Sequence, residues 1–91
     1  MKFTWDKRKA ATNLAKHRVS FEEASTVFAD ILSSVIADPI HSEVEERYIL
    51  LGMSKHQRLL VVVHTEQEDI VRIISARTAT SHERKQYEQA I

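Results

Sequence analysis

The chain has 91 residues with one Gly, one Pro and no Cys, is 43% hydrophobic and 29% charged, and carries no formal net charge. So short a chain, with so few loop formers, reads as a single domain over 1–91 that buries only about 60–65% of the surface its unfolded form exposes. The lack of cysteine excludes a disulfide framework, a thiolate nucleophile and a Cys-based zinc site, and the longest apolar run, Leu59 to Val63, is too short to span a bilayer, so the cytoplasm is the expected location.

The zero net charge conceals a segregation. Residues 1–18 carry six Lys or Arg against Asp6 alone, whereas residues 19–46 carry seven acids and no Lys or Arg. Blocks of this kind give a domain one face suited to a polyanion and another suited to a basic partner, or simply two solvated surfaces.

Lys2 to Trp5 alternates polar and apolar residues and suits an edge strand. Asp6 is placed as an N-cap for a helix over Lys7 to His17, with Ala10, Ala11, Leu14 and Ala15 on its apolar face and Lys9, Thr12, Asn13 and Lys16 opposite. His17 closes that helix, where the negative end of the dipole favours an imidazolium. Ser20 with Glu23 forms a capping box, and Val19 with Ala24 has staple spacing, so a second helix starts almost at once. Phe21, Ala24, Val27, Phe28 and Ile31 recur at helical spacing and predict a face packed on a sheet.

Ser33 to Ala37 reads as a strand stopped by Asp38 and Pro39, His41 to Glu46 as a loop, and Arg47 to Met53 as the next strand, with Gly52 and Ser54 to Gln57 turning the chain. Leu59 to Val63 and Ile70 to Ala76 form the arms of a hairpin around the acidic turn Glu66 to Asp69. After Arg77, Thr80 with Glu83 makes another capping box for a helix from about Ser81 to Ala90, in which only Tyr87, Ala90 and Ile91 offer burial. That helix is expected to lie loosely on the domain or to be held by a partner. The order β-α-α-β-β-β-β-α gives an α+β fold: an antiparallel four- to five-stranded sheet with two N-terminal helices and one C-terminal helix.

An even-numbered turn in the hairpin pairs position i with position 135 minus i, which sets Arg58 across from Arg77. Like charges across a ladder are unfavourable unless an anion lies between them or the register is different. In this register Arg58, Leu60, Val62, His64, Val71, Ile73, Ser75 and Arg77 share a face with an apolar middle and polar ends, as a cleft floor would. The other face, with Leu59, Val61, Val63, Ile70, Ile74, Ala76 and Arg72, is the better core.

The strings WDKRKAATNLAKHRVSFEEASTVF, DPIHSEVEERYILLGMS, RLLVVVHTE and IVRIISARTATSHERKQYE, in that order over about residues 3 to 88, resemble the BrnT toxins of bacterial type II toxin–antitoxin systems, a family related in fold to the RelE ribonucleases. The resemblance implies an RNA-cleaving toxin that halts translation. It also implies a BrnA-type ribbon-helix-helix antitoxin as partner, with operator DNA bound only through the complex and with a homodimer or a heterotetramer as the assembly.

RNA cleavage without a metal needs a base, an acid and cations for the extra charge on phosphorus. There is no HExxH, EF-hand loop or carboxylate cluster, and the histidines 17, 41, 56, 64 and 82 are scattered, so neither a metal nor another cofactor is expected. The candidate catalytic residues are Arg77, His64, Arg47 and Arg58. Arginine suits the task because its planar fork holds two phosphate oxygens and stays charged. His64 equally suits a turn cap, and Arg47 an ion pair with Glu45 or Glu46. Trp5, Lys9, His17, Ser75 and Arg84 are the RNA-binding candidates, with Trp5 as a base-stacking platform beside Lys9 or as a core residue. A non-catalytic binding module, acting as the structural or regulatory half of a transcription-repressing complex, is the alternative function.

Overall fold

The computed structural model describes residues 1–38 and 46–89. The elements follow the expected order: β1 (Lys2–Thr4), α1 (Lys7–His17), α2 (Phe21–Thr26) running into a single 3-10 turn (Val27–Ala29), β2 (Ser34–Ala37), β3 (Tyr48–Met53), β4 (Leu59–Gln67), β5 (Ile70–Thr78) and α3 (Ser81–Gln89). Pro39, the loop expected from His41 and the expected burial of Ala90 and Ile91 lie outside the described residues.

The five strands form one sheet in the order β1-β5-β4-β3-β2. It is mixed rather than antiparallel, because β1 pairs with β5 in parallel through Lys2↔Ile70, Phe3↔Val71 and Thr4↔Arg72. β1 stops after three residues, and α1 then runs along the same edge. There the Asn13 side chain takes the place of a strand: its amide N donates to the Ala76 carbonyl (2.8 Å) and to the Val19 carbonyl (2.9 Å), and its Oδ1 accepts from the Ala76 N–H (3.1 Å). Asn13 is buried for this reason, while Ala11, Leu14 and Ala15 are exposed; α1 therefore turns Ala10 and Asn13 inward, and of the expected apolar stripe only Ala10 faces the domain.

Asp6 caps α1, its carboxylate accepting from the N–H groups of Arg8 (2.8 Å) and Lys9 (3.1 Å), and Arg18 ends the helix in the left-handed region at φ 60. The predicted second helix is shorter than its apolar spacing suggested. It tightens at Val27 and turns out at Asp30, whose carboxylate accepts from the N–H groups of Leu32 (3.0 Å) and Met53 (2.8 Å), so Ile31 is 96% exposed instead of packed. Gly52 lies within β3 and is not a turn residue. A Cβ there would come within 2.8 Å of both Ser33 Cβ and Val27 Cγ1, so glycine is what lets the 3-10 turn sit against the strand.

The hairpin turn is Glu68–Asp69, one residue later than the 135 register requires, and Glu68 takes φ 57. Near the turn the pairs are Gln67↔Ile70 to His64↔Ile73; beyond it they are Val63↔Ser75 to Leu60↔Thr78, which leaves Ile74 as the extra residue of a β-bulge. The bulge reverses alternation in β5. Val71, Ile73 and Ala76 all face the helices together with Leu60 and Val62, whereas Arg72, Ser75 and Arg77 share the opposite face with Thr65, Val63 and Val61. The expected cleft floor is therefore largely core, closed by Val19, Phe21, Ala24, Val27 and Leu50. Each fully buried side chain of this size contributes roughly 1.5–3 kcal/mol.

Candidate active site

Arg58 and Arg77 do not face one another. Arg77 pairs with Val61, and Arg58 precedes β4 with its carbonyl accepting from the Ser54 N–H (2.9 Å). Arg58 belongs to the helix side: its Nε and Nη2 donate to the two Glu23 oxygens, and Nη2 also donates to the Arg18 carbonyl at 3.0 Å. Glu23 is buried and also accepts from the Ser54 hydroxyl (2.7 Å). The Arg58 guanidinium holds the Glu23 carboxyl below the usual carboxylate range, against the opposing effect of burial. The expected convergence of two arginines on one anion is thus overturned; a carboxylate from α2 fills the place on the Arg58 side.

His64 is almost fully buried, with Phe28 edge-on at 4.8 Å between ring centroids and Tyr48 at 5.8 Å. Among the described residues neither ring nitrogen has a hydrogen-bond partner, and the approach of Nε2 to Glu66, at 3.7 Å, is an electrostatic contact only. Burial pushes the imidazole below its ordinary value. Trp5 packs edge-on against Phe21 at 6.0 Å, on the core. Both side chains lie away from the face that carries Arg77.

Other candidates do come together. Lys9 and His17 from α1 line one hollow of about 320 Å³ with Ser75 from β5, joined by Arg8, Thr12, Lys16 and the bulged Ile74. Helical spacing lines up the first set and the Asn13–Ala76 bonds lock α1 beside β5, so four basic side chains rim a strand whose Ser75 faces outward. Arg77 follows two residues later on the same face. Arg72 lies on that face as well, paired with Thr65, and Arg47 immediately precedes Tyr48, whose partner is His64.

Arg77 is held at the start of α3. Its Nη1 and Nη2 donate to the two Glu83 oxygens at 2.8 and 2.9 Å, and Nη1 reaches the Thr78 carbonyl at 3.3 Å. The Arg77 guanidinium brings the Glu83 carboxyl down to about 2. Arg84 is exposed on the same helix. α3 is docked more firmly than its apolar content suggested, because Tyr87 is buried and its hydroxyl donates to Asp30 Oδ2 (2.6 Å). Sequence reasoning missed Arg8, Lys16 and Asn13 as parts of this region. Their signal was the four-residue repeat of basic side chains flanking Asn13. No group of His, Asp or Glu among the described residues could hold a metal ion.

The family model for the ribonuclease toxin BrnT of type II toxin–antitoxin systems matches residues 5–83. The chain belongs to the BrnT family of ribonuclease toxins. The crystal structure of the Brucella abortus ribonuclease toxin BrnT is similar over 89% of this chain and 99% of its own, with 28% identity and a TM-score of 0.66. No curated protein sequence matches. The BrnT match takes in the whole hollow beside α1, Arg77 and Glu83, and ends just before Arg84.

Proposed function

We propose that this BrnT-family chain is an endoribonuclease that binds RNA along the α1–β5 hollow and cleaves it without a metal. The observation that carries the reading is the gathering of Arg8, Lys9, Lys16 and His17 around Ser75, with Arg77 two residues along the same strand face. The basic side chains neutralise the RNA backbone, and the Arg77 guanidinium takes the phosphate that reacts. The ribose 2′-oxygen attacks phosphorus and the bond to the 5′-oxygen breaks; a base takes the 2′-proton and an acid supplies one to the leaving oxygen. His17 is the titratable ring in the hollow suited to one of these transfers. Arg47, Arg72 and Arg84 extend the basic surface.

Kinship with the RelE ribonucleases belongs to the same proposal, as do action in the cytoplasm and arrest of translation. The partner is a BrnA-type ribbon-helix-helix antitoxin whose acidic segment covers the basic hollow, and operator DNA is bound through that complex. The purified chain incubated with RNA in excess EDTA is expected to cut it and leave 2′,3′-cyclic phosphate ends. Intact RNA in EDTA, with cutting restored by a divalent ion, would refute metal independence.

A further inference from the structure

Glu83 is held from several directions at once. Its Oε1 accepts from Arg77 Nη1 (2.8 Å) and from the Thr80 N–H (2.9 Å), its Oε2 accepts from Arg77 Nη2 (2.9 Å), and its own N–H donates to the Thr80 hydroxyl (3.2 Å). The capping box expected from Thr80 and Glu83 is therefore complete, and the same carboxylate grips the end of a guanidinium. Glu83 takes the end-on donors of Arg77 and the Thr78 carbonyl takes one more, which leaves Nε–H and the second hydrogen of Nη2 side by side along one edge. The side chain of Arg77 is 42% exposed, and among the described residues these two donors have no hydrogen-bond acceptor.

We propose that Glu83 is a positioning residue for RNA cleavage: it fixes the Arg77 fork so that its free edge is presented to the reacting phosphate, and it ties that orientation to the start of α3. The proposal rests on the reading of Arg77 as the phosphate-binding group. A mobile arginine gives up its rotamer freedom when it closes on a phosphate. One already gripped by a fixed carboxylate has given it up on folding, and that difference appears in the rate. The two free donors match the spacing of two phosphate oxygens, so the grip on the end of the fork does not compete with substrate.

Glu83→Gln tests this. The amide keeps the length and one acceptor but sets an NH2 against an arginine N–H, so the two-point grip becomes one-point. Cleavage of a defined RNA by the purified chain is expected to lose about tenfold in kcat while KM moves by less than about twofold. Thr80→Ala weakens the same helix start without touching the guanidinium and is expected to lower the melting temperature while kcat stays within about twofold. In an Arg77→Lys background the Glu83→Gln cost should shrink to less than about twofold, since a single ammonium has no fork to orient.

A Glu83→Gln chain that cleaves as fast as the parent or faster would overturn the proposal, because the carboxylate would then be idle or an obstruction. Equal losses in Glu83→Gln and Thr80→Ala would overturn it in favour of a purely structural helix effect, and an undiminished loss in the Arg77→Lys background would do the same. Should Glu83→Gln not fold, Glu83→Asp keeps the charge but reaches only one nitrogen, and is expected to lose kcat in the same way. Failure of the underlying reading has a separate signature: Arg77→Ala itself would cleave normally.

Discussion

Two glutamates in this chain occupy the same local motif and serve opposite sides of the sheet. Glu23 follows Ser20, and Glu83 follows Thr80, each at the third helical position of an S/T-x-x-E box, and each grips an arginine of the same hairpin by two nitrogens. Glu83 completes its own box by accepting from the Thr80 N–H, whereas Glu23 turns away from its box to Arg58 and Ser54. Burial explains the difference. Glu23 is 6% exposed and needs every lone pair filled, while Glu83 is 23% exposed; their arginines differ little, at 36% and 42%. The inward pair clamps α2 to the start of β4. The outward pair leaves unused the Nε–Nη2 edge of its guanidinium, the edge that Glu23 occupies on Arg58, and that difference separates a candidate site from a clamp.

The two arginines should differ most in what their removal does. Arg77→Ala is expected to slow RNA cleavage roughly hundred- to thousandfold, the range seen when one transition-state donor is removed. It should cost the fold about 1 kcal/mol, because the lost pair is part-exposed, Arg77 at 42% and Glu83 at 23%. Initial rates on a defined RNA and a thermal melt measure both. Normal cleavage by Arg77→Ala would remove it from the site.

Arg58→Ala should behave in reverse. It strands the buried Glu23 carboxylate with only the Ser54 hydroxyl, a loss of about 2–4 kcal/mol once the usual cost of breaking a buried pair is reduced for the partial exposure of Arg58. For a domain of this size the melting temperature should fall by roughly 10 °C or more, while cleavage per folded molecule is retained. A chain that melts as before but no longer cuts RNA would return Arg58 to the catalytic set.

Much of the chain order was legible because local chemistry decides it. Asp6, Ser20 and Thr80 cap where they were expected to, and the four strands after α2 alternate or run apolar between turn residues. The faces of the hairpin were not legible, for a specific reason. IVRII is apolar at enough successive positions that inserting one residue costs nothing visible in the pattern, so the bulge at Ile74 moves Ser75 and Arg77 across the sheet without a signal. Asn13 was hidden in another way. Among lysines on a helix it reads as solvent-facing, and only the early end of β1 creates the unpaired backbone of Ala76 that draws it inside. Of the proposed contact residues, Lys9, His17 and Ser75 meet because of these two non-local features, and Trp5 and His64 are drawn into or against the core by aromatic neighbours.

His64, on the helix side of the sheet, should give a milder change. Its folded value lies below the ordinary imidazole value of 6.5, first because of burial, with the Val62 backbone and then Glu66 at the turn end of β4 opposing, and with the Phe28 ring and Tyr48 as its other neighbours. A depressed value means that the fold prefers the neutral ring, so its contribution is complete above pH 6.5 and is lost as pH falls below it. The slope is at most about 1.4 kcal/mol per pH unit for one group. Glu23 and Glu83 titrate in a separate window: their lowered values stabilise the fold above the ordinary carboxyl value of 4.5 and lose effect below it. Denaturant melts from pH 7 to 3 should therefore show a decline in stability between pH 6.5 and 5 that His64→Leu flattens, with the steeper loss below pH 4.5 unchanged. If the decline between pH 6.5 and 5 survives in His64→Leu, the titrating group is another histidine, and the imidazole beneath Phe28 is only packing.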